Sequence, residues 1–193
     1  MRAATVSRRT AETATTCTLA LDGTGRAEVA TGIGMLDHLL GALARHARFD
    51  LALTCEGDLH VDDHHTAEDC ALALGSALDR ALGDRAGIRR FGTGFAPLDE
   101  ALTRVVVDLS GRPWPEVRLP LRRERLGGLA TENVVHVLRT LAMAGRAAVH
   151  VDGLRGDNDH HVAESAFKGL ALALREAVAR DGDGVPSTKG VLG

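Results

Sequence analysis

Three histidines and one glutamate recur in each half of the sequence, a combination typical of metal coordination. Imidazole and carboxylate ligands suit Mn, Fe, Co or Zn, and the absence of cysteine from the set argues against a structural zinc site. One HHxxE motif is weak evidence, because helix starts collect such residues for capping and solvation. Two copies, each with an upstream histidine, predict metal binding. The eight proposed ligands are His38, His64, His65, Glu68, His136, His160, His161 and Glu164.

These residues belong to a weak internal repeat. The segment DDHHTAE at 62–68 reappears as NDHHVAE at 158–164, with an offset of 96 residues from His64 to His160. A second match has an offset of 98 residues, from His38 to His136. Repeats of this kind indicate one structural unit used twice. We therefore expect two similar halves, 1–95 and 96–193, packed as one body.

The elements that must position the ligands can be predicted from periodicity. Apolar residues after the first HH motif recur at three- and four-residue intervals, which favours a helix. Asp62 or Asp63 can cap its start and Gly83 can end it. Further predicted elements are strands at 28–30 and 104–109 and shorter helices at 36–47 and 132–144. The order predicts an α+β fold with two small, mostly antiparallel sheets packed on a four-helix layer.

Composition limits the class of protein. The chain has 193 residues, of which 45% are hydrophobic and 25% charged, and these proportions suit a globular domain. Its net charge of −3 gives no electrostatic argument for a nucleic-acid partner. The three cysteines form no CxxC pair, the first residues lack a signal-like apolar stretch, and no stretch is long enough to span a membrane. A cytoplasmic protein without a membrane partner is expected.

Eight sequence blocks occur together in one order, and their combination is specific although no single block is. They are RTAET at 9–13, TGIGMLDH at 31–38, DHHTAED at 63–69, GIRRFG at 87–92, LDEAL at 98–102, DLSGRP at 108–113, DHHVAE at 159–164 and PSTKG at 186–190. Over nearly its whole length the chain thus resembles the imidazoleglycerol-phosphate dehydratase family. It departs from the family at Val137 and Leu138, where two phenylalanines are usual.

The resemblance implies an activity, a cofactor and an assembly. The implied reaction is the dehydration of D-erythro-imidazole glycerol phosphate to imidazole acetol phosphate in histidine biosynthesis, by a metal-dependent hydro-lyase. The family holds two Mn²⁺ ions per active site through the positions of the eight ligands, and these Lewis acids stabilise an imidazolate form of the substrate. The family also implies a homo-oligomer, a 24-mer with active sites between subunits.

The resemblance also assigns roles outside the ligand set. Glu12 is the expected acid/base group, although its sequence neighbours alone would equally suit a solvent-facing strand residue. Asp37, Asp99 and Glu100 are expected to orient ligands, with surface or capping roles as the alternative. Arginine and lysine suit phosphate oxygens. The proposed phosphate-binding residues are Arg90, Arg112, Ser187, Lys189 and, with less support, His46.

Two other interpretations of the histidine clusters remain at this point. A dinuclear metallohydrolase acting on phosphoesters would also use histidine, glutamate and arginine, although such enzymes tend to bridge their metals with aspartate. A metal-binding buffer protein would explain the clusters but not the proposed phosphate-binding residues. Titration of the metal-loaded protein with phosphate compounds separates the two, because a buffer protein would not respond.

Overall fold

The computed structural model describes residues 2–192, and the order of its elements in the first half recurs in the second. The first half contains β1 (Ala3–Arg9), β2 (Thr13–Ala20), β3 (Ala27–Ala30), α1 (Gly34–Ala47), β4 (Asp50–Gly57) and α2 (His64–Leu82). The second half contains β5 (Phe91–Leu98), β6 (Ala101–Asp108), β7 (Trp114–Arg118), β8 (Arg125–Leu126), β9 (Leu129–Ala130), α3 (Thr131–Ala144), β10 (Ala148–Arg155) and α4 (Asp159–Ala177).

Each half forms a four-stranded sheet with the same arrangement. The orders are β1-β2-β4-β3 and β5-β6-β10-β7, and β8 pairs only with β9. In each sheet one edge strand is parallel to its neighbour, β3 to β4 and β7 to β10, while the other pairs are antiparallel. The predicted α+β fold with two mostly antiparallel sheets and four helices is confirmed.

The helices form a layer in which the two halves contact each other. α2 packs on β1, β2 and β4, and α4 packs on β5, β6 and β10. Across the halves, α1 packs on α4 and α2 on α3. The predicted apolar positions of α2, including Leu74 and Leu78, are buried, and burying each leucine stabilises the fold by about 1.5–3 kcal/mol. Val137 and Leu138 of α3 are fully buried as well.

The α2–α3 contact depends on a residue without a side chain. A Cβ atom on Gly75 would lie 2.7 Å from the Leu141 carbonyl oxygen and 2.9 Å from the Gly145 nitrogen. Because backbone atoms cannot move aside cheaply, any larger residue would separate the helices. The close approach brings the first turn of α2 beside α3, where several proposed ligands lie.

The helix ends follow the sequence signals with small differences. The Asp62 carboxylate accepts a hydrogen bond from the His64 backbone nitrogen at 2.8 Å, whereas Asp63 makes no cap hydrogen bond to α2. Gly83 ends α2 at φ 59°, as predicted. Of the two shorter helices, α1 begins two residues earlier than predicted and α3 one residue earlier. No helix among residues 2–192 has the length and apolar character of a membrane span.

Candidate active site

Six of the eight proposed ligands form two separate clusters, each with two histidines and one glutamate. Cluster A consists of His38 from α1 with His160 and Glu164 from α4; cluster B consists of His64 and Glu68 from α2 with His136 from α3. Within each cluster one donor atom per residue lies within 4.8 Å of the others. The i, i+4 spacing places histidine and glutamate on one helix face, and the neighbouring helix adds the second histidine. Each cluster therefore joins residues from both halves.

Cluster A has a strongly acidic carboxylate at its centre. Glu164 Oε2 lies 2.9 Å from His38 Nε2 and 3.2 Å from His160 Nε2. Its other oxygen lies 2.7 Å from Lys168 Nζ, one helical turn further along α4. Partial burial acts to raise the pKa of Glu164, but the hydrogen bonds from Lys168 and His38 outweigh it and lower the pKa to about 2. The carboxylate is thus an anionic ligand at any physiological pH. The sequence analysis did not identify Lys168. Its i, i+4 spacing from Glu164 is the spacing at which a lysine and a glutamate meet on one helix face.

Cluster B is supported by an asparagine that the sequence analysis also missed. The His64 and His136 rings stack with centroids 4.7 Å apart, and His136 Nε2 lies 3.1 Å from Glu68 Oε1. His64 Nδ1 lies 3.0 Å from Asn133 Oδ1, and Asn133 Nδ2 donates to Asp63 at 2.9 Å. Since the amide oxygen accepts, Nδ1 of His64 carries the proton and Nε2 keeps its lone pair for a metal.

The remaining two ligands, His65 and His161, lie outside both clusters. His65 Nδ1 lies 3.0 Å from Asp58 Oδ2, and His161 Nδ1 lies 2.7 Å from Glu100 Oε2. These hydrogen bonds raise the pKa of both histidines. The two adjacent histidines of each HH motif thus point in different directions, as the ~100° step of a helix requires.

Glu12 lies in the turn between β1 and β2, beside His65 rather than beside a cluster. Its Oε2 is 3.8 Å from His65 Nδ1, and the side chain is 53% exposed. The Thr10 hydroxyl fixes the turn by accepting hydrogen bonds from the backbone nitrogens of Glu12 and Thr13 at 3.1 and 3.0 Å. Glu100 occupies the matching turn between β5 and β6 beside His161. The repeat therefore places one carboxylate-bearing hairpin next to each outlying histidine.

Four of the five proposed phosphate-binding residues line one cavity of about 560 Å³: Arg90, Arg112, Ser187 and Lys189. Arg90 is already engaged, since its guanidinium donates to both carboxylate oxygens of Asp108 and, at 2.9 Å, to the Pro186 carbonyl. It therefore anchors the C-terminal segment, and Arg112 and Lys189 are the exposed cations of the cavity. Ser187 and Lys189 are held in one turn by the hydrogen bond from Lys189 N to Ser187 Oγ at 3.2 Å. His46 does not join this group and lines a different cavity.

Asp37 and Asp99, which were also predicted to orient ligands, do not contact a proposed ligand as closely as Glu100 does. Asp37 accepts hydrogen bonds from the backbone nitrogen and hydroxyl of Thr31 at 2.9 and 2.6 Å, so it fixes the loop before α1. Asp99 Oδ2 lies 3.8 Å from His161 Nε2 on a largely exposed side chain. Glu100, by contrast, contacts its histidine directly.

Comparisons with known proteins agree with this geometry. A sequence profile of imidazoleglycerol-phosphate dehydratase matches residues 31–174. Proteins of that name from Phaffia rhodozyma and Phytophthora nicotianae are 55% and 57% identical over the whole chain, which spans 97% of the first and 43% of the second. A crystal structure of the Pyrococcus furiosus enzyme in complex with (S)-C348 superposes with a TM-score of 0.81 and 35% identity, covering 97% of this chain and 100% of that one.

Proposed function

The chain belongs to the imidazoleglycerol-phosphate dehydratase family and is a hydro-lyase of histidine biosynthesis, and from this premise we propose how its residues build the active site. The dehydratase interpretation of the sequence motifs is confirmed over the hydrolase and metal-buffer alternatives. The eight His and Glu residues bind two Mn²⁺ ions, Glu12 transfers a proton, and Arg112, Ser187 and Lys189 hold the substrate phosphate with Arg90 as their support. His46, which lines a different cavity, remains the fifth phosphate-binding residue of the proposal.

The donor set of the two clusters suits this metal. Imidazole nitrogens and one carboxylate, without cysteine, fit Mn²⁺ and similar first-row ions. The hydrogen bond from His64 to Asn133 leaves Nε2 available as a ligand, and Glu164 is anionic because its pKa is lowered to about 2. When bound, the ions supply Lewis acidity toward the imidazole ring of the substrate.

We propose that other copies of the chain complete each cluster, and the placement of His65 and His161 carries this proposal. Each cluster offers three ligands. This is one fewer than the three histidines and one glutamate that recur in each half of the sequence. The two outlying histidines have Nδ1 fixed by a carboxylate, which orients Nε2 outward as a fourth ligand for a neighbouring copy. The outer face of the second sheet exposes Phe95 and Trp114, by 53% and 61%, and a second copy would cover it. The family's 24-mer is the assembly we propose.

Glu12 is then placed to serve a site that its own chain only partly forms. The hairpin turn presents the exposed carboxylate beside His65, so a subunit junction that recruits His65 also receives Glu12. There it can accept or deliver the proton moved in the dehydration. The substrate phosphate is held apart from Glu12, by the C-terminal turn that Arg90 fixes in place. Anchoring the phosphate orients the reacting carbons relative to the carboxylate.

Two further interpretations stay proposals. The repeat boundaries 1–95 and 96–193 fit the recurring order of elements. A cytoplasmic location fits the reduced cysteines, since Cys17, Cys55 and Cys70 are all free and buried.

The first experiment is a turnover assay. Purified protein is stripped of metal, reloaded with Mn²⁺ and given imidazole glycerol phosphate, while imidazole acetol phosphate is followed. We expect product only with metal. Product formation by the metal-free protein would contradict the metal role, and no product from a protein holding two ions per chain would contradict the proposed chemistry.

A mixing experiment tests the shared sites. The variants His65→Ala and Glu164→Gln should each be inactive, because each removes a ligand. If the two ligands of one site come from different chains, co-assembled mixtures recover about one quarter of the wild-type activity by random pairing in a symmetric oligomer. A mixture as inactive as its components would contradict shared sites.

A further inference from the structure

The hairpin that carries Glu12 is anchored to α2 by one buried carboxylate. Asp69 Oδ1 accepts a hydrogen bond from Arg8 Nε at 2.7 Å, and Oδ2 accepts one from the Thr13 hydroxyl. Arg8 belongs to β1 and Thr13 begins β2, so Asp69 bonds both strands, on either side of the turn that contains Glu12. Only 5% of Asp69 is exposed, and a buried carboxylate that loses its partners is strongly destabilising. The hairpin is therefore held firmly against the helix.

Hydroxyl groups extend this contact to the backbone of Glu12. The Thr13 hydroxyl donates its one proton to Asp69, so it accepts from the Thr10 hydroxyl, whose oxygen lies 3.3 Å away. The Thr10 oxygen in turn accepts a hydrogen bond from the backbone nitrogen of Glu12 at 3.1 Å. Every donor in this series points toward Asp69, and hydrogen bonds aligned in this way strengthen one another. The position of the turn is thus set from α2.

The same face of α2 carries proposed metal ligands. Asp69 follows His65 by one i, i+4 step, so both side chains project toward the hairpin. Glu12 Oε2 lies 3.8 Å from His65 Nδ1, while Asp69 contacts the strands on either side of the turn. Glu68, the neighbour of Asp69 in the chain, belongs to cluster B. The hairpin therefore has a fixed position relative to the part of α2 that carries these ligands.

The second half anchors its matching hairpin in a different way. At the repeat offset of 96 residues Asp69 corresponds to Ser165, whose hydroxyl lies 2.6 Å from the Thr103 hydroxyl. There the hairpin carboxylate, Glu100, makes the contact to the helix start itself, by accepting hydrogen bonds from two backbone nitrogens just before α4. In the first half Asp69 makes the contact to the helix instead, and the side chain of Glu12 is 53% exposed. The separate anchor leaves the Glu12 carboxylate available for chemistry.

We propose that Asp69 is a positioning residue, which holds the Glu12 carboxylate at a fixed place relative to the metal-binding part of α2. The proposal rests on the proposed role of Glu12 in proton transfer and names the residue on which its placement depends. Proton transfer requires a short, aligned approach of the carboxylate to the substrate, and a displacement of about 1 Å can cost about 10²-fold in rate. A loosened hairpin therefore slows turnover while the groups that bind metal and phosphate stay in place.

Asp69→Asn tests this in the Mn²⁺-loaded enzyme, because it keeps the shape of the side chain and removes its charge and one acceptor. We expect kcat to fall at least about tenfold, with KM within about threefold of wild type and normal Mn²⁺ content. Thr13→Val removes the hydroxyl that links Asp69 to the turn and should change kcat and KM in the same way. The double variant Glu12→Gln/Asp69→Asn should have the kcat of Glu12→Gln alone, since both changes act on one proton transfer.

Asp79→Asn is the matched control. Asp79 is a carboxylate further along α2 that pairs with Arg85 and Arg146, away from the hairpin. Its substitution should lower the unfolding temperature, as Asp69→Asn does, but leave kcat within about twofold of wild type. A loss of kcat that comes only from lower stability would appear in both variants and would add to that of Glu12→Gln.

The outcomes separate the positioning role from the role of Glu12. Wild-type kcat in both Asp69→Asn and Thr13→Val, with a slow Glu12→Gln, would overturn the positioning role alone. Loss of Mn²⁺ from Asp69→Asn would overturn it too, because Asp69 would then act through Glu68. An equal loss of kcat in Asp79→Asn would reduce Asp69 to a contributor to stability. Wild-type kcat in Glu12→Gln would contradict the proposed function of Glu12, and the positioning role with it.

Discussion

His161 Nδ1 lies 2.7 Å from Glu100 Oε2, and this pair stands outside both metal-binding clusters of its own chain. The same carboxylate accepts hydrogen bonds from the backbone nitrogens of Asp157 and Asn158, just before α4 begins. The hydrogen bond from His161 is the largest of the effects that lower the pKa of Glu100 to about 2. Glu100 therefore fixes both the ring of His161 and the start of its helix.

Glu100→Gln should weaken metal binding at the site that uses His161 by about 10–100-fold, because the ligand loses its charged orienting partner. Mn²⁺ titration followed by electron paramagnetic resonance measures this. Glu116→Gln, which removes an exposed partner of Arg118, is the matched control and should leave the affinity unchanged. An unaltered Mn²⁺ affinity in Glu100→Gln would mean that His161 is not oriented through this contact.

Asn133→Ala should destabilise the metal-free protein by about 1–3 kcal/mol, because it removes a hydrogen bond from the buried Asp63. It should also reduce the Mn²⁺ affinity of cluster B, since His64 loses the acceptor that selects its tautomer. Urea unfolding and metal titration measure the two effects separately. Asn133→Asp is the matched control: it keeps an oxygen acceptor for His64 and loses the donor to Asp63, so it should lose stability and keep the Mn²⁺ affinity. Loss of stability without loss of affinity in Asn133→Ala would show that the amide has only a structural role.

Glu12→Gln should lower kcat by at least about 10²-fold while metal content remains normal, because the variant cannot transfer a proton. Steady-state kinetics with metal analysis of the same samples provide the measurement. Glu56→Gln, an exposed strand glutamate outside the proposed site, serves as the control. Equal kcat in Glu12→Gln and wild type would leave Glu12 as an ordinary surface residue.

The Arg2–Asp22 ion pair should make stability depend on pH at the acidic end. Hydrogen bonds from Arg2 lower the pKa of Asp22 from 3.8 to about 2. A lowered folded-state pKa contributes stability above pH 3.8, and that contribution is lost as the pH falls through about 2. Asp22→Asn should therefore be less stable than wild type at pH 7, by less than about 1 kcal/mol because the carboxylate is 43% exposed. Thermal unfolding should show the difference narrowing below pH 3.8; a constant difference would contradict the linkage.

The sequence by itself determined the family, the α+β class, the helices and the identity of the proposed ligands. These follow from local information: the 96-residue offset between the HH motifs, the apolar spacing after each motif and the ordered blocks. The i, i+4 relation of His64 to Glu68 and of His160 to Glu164 is a property of one helix, so it can be predicted without knowing how the helices pack.

Only the tertiary structure decided which ligands meet. Cluster A pairs α1 with α4 and cluster B pairs α2 with α3, so each cluster crosses the repeat boundary that the sequence suggests. The same packing leaves His65 and His161 outside, assigns Asn133 to His64, and separates His46 from the other proposed phosphate-binding residues. Such contacts depend on close helix approach at positions such as Gly75 and on burial of both helix faces at once. Periodicity along one segment reports which face is apolar, but the partner of that face is set by the packing of the whole chain.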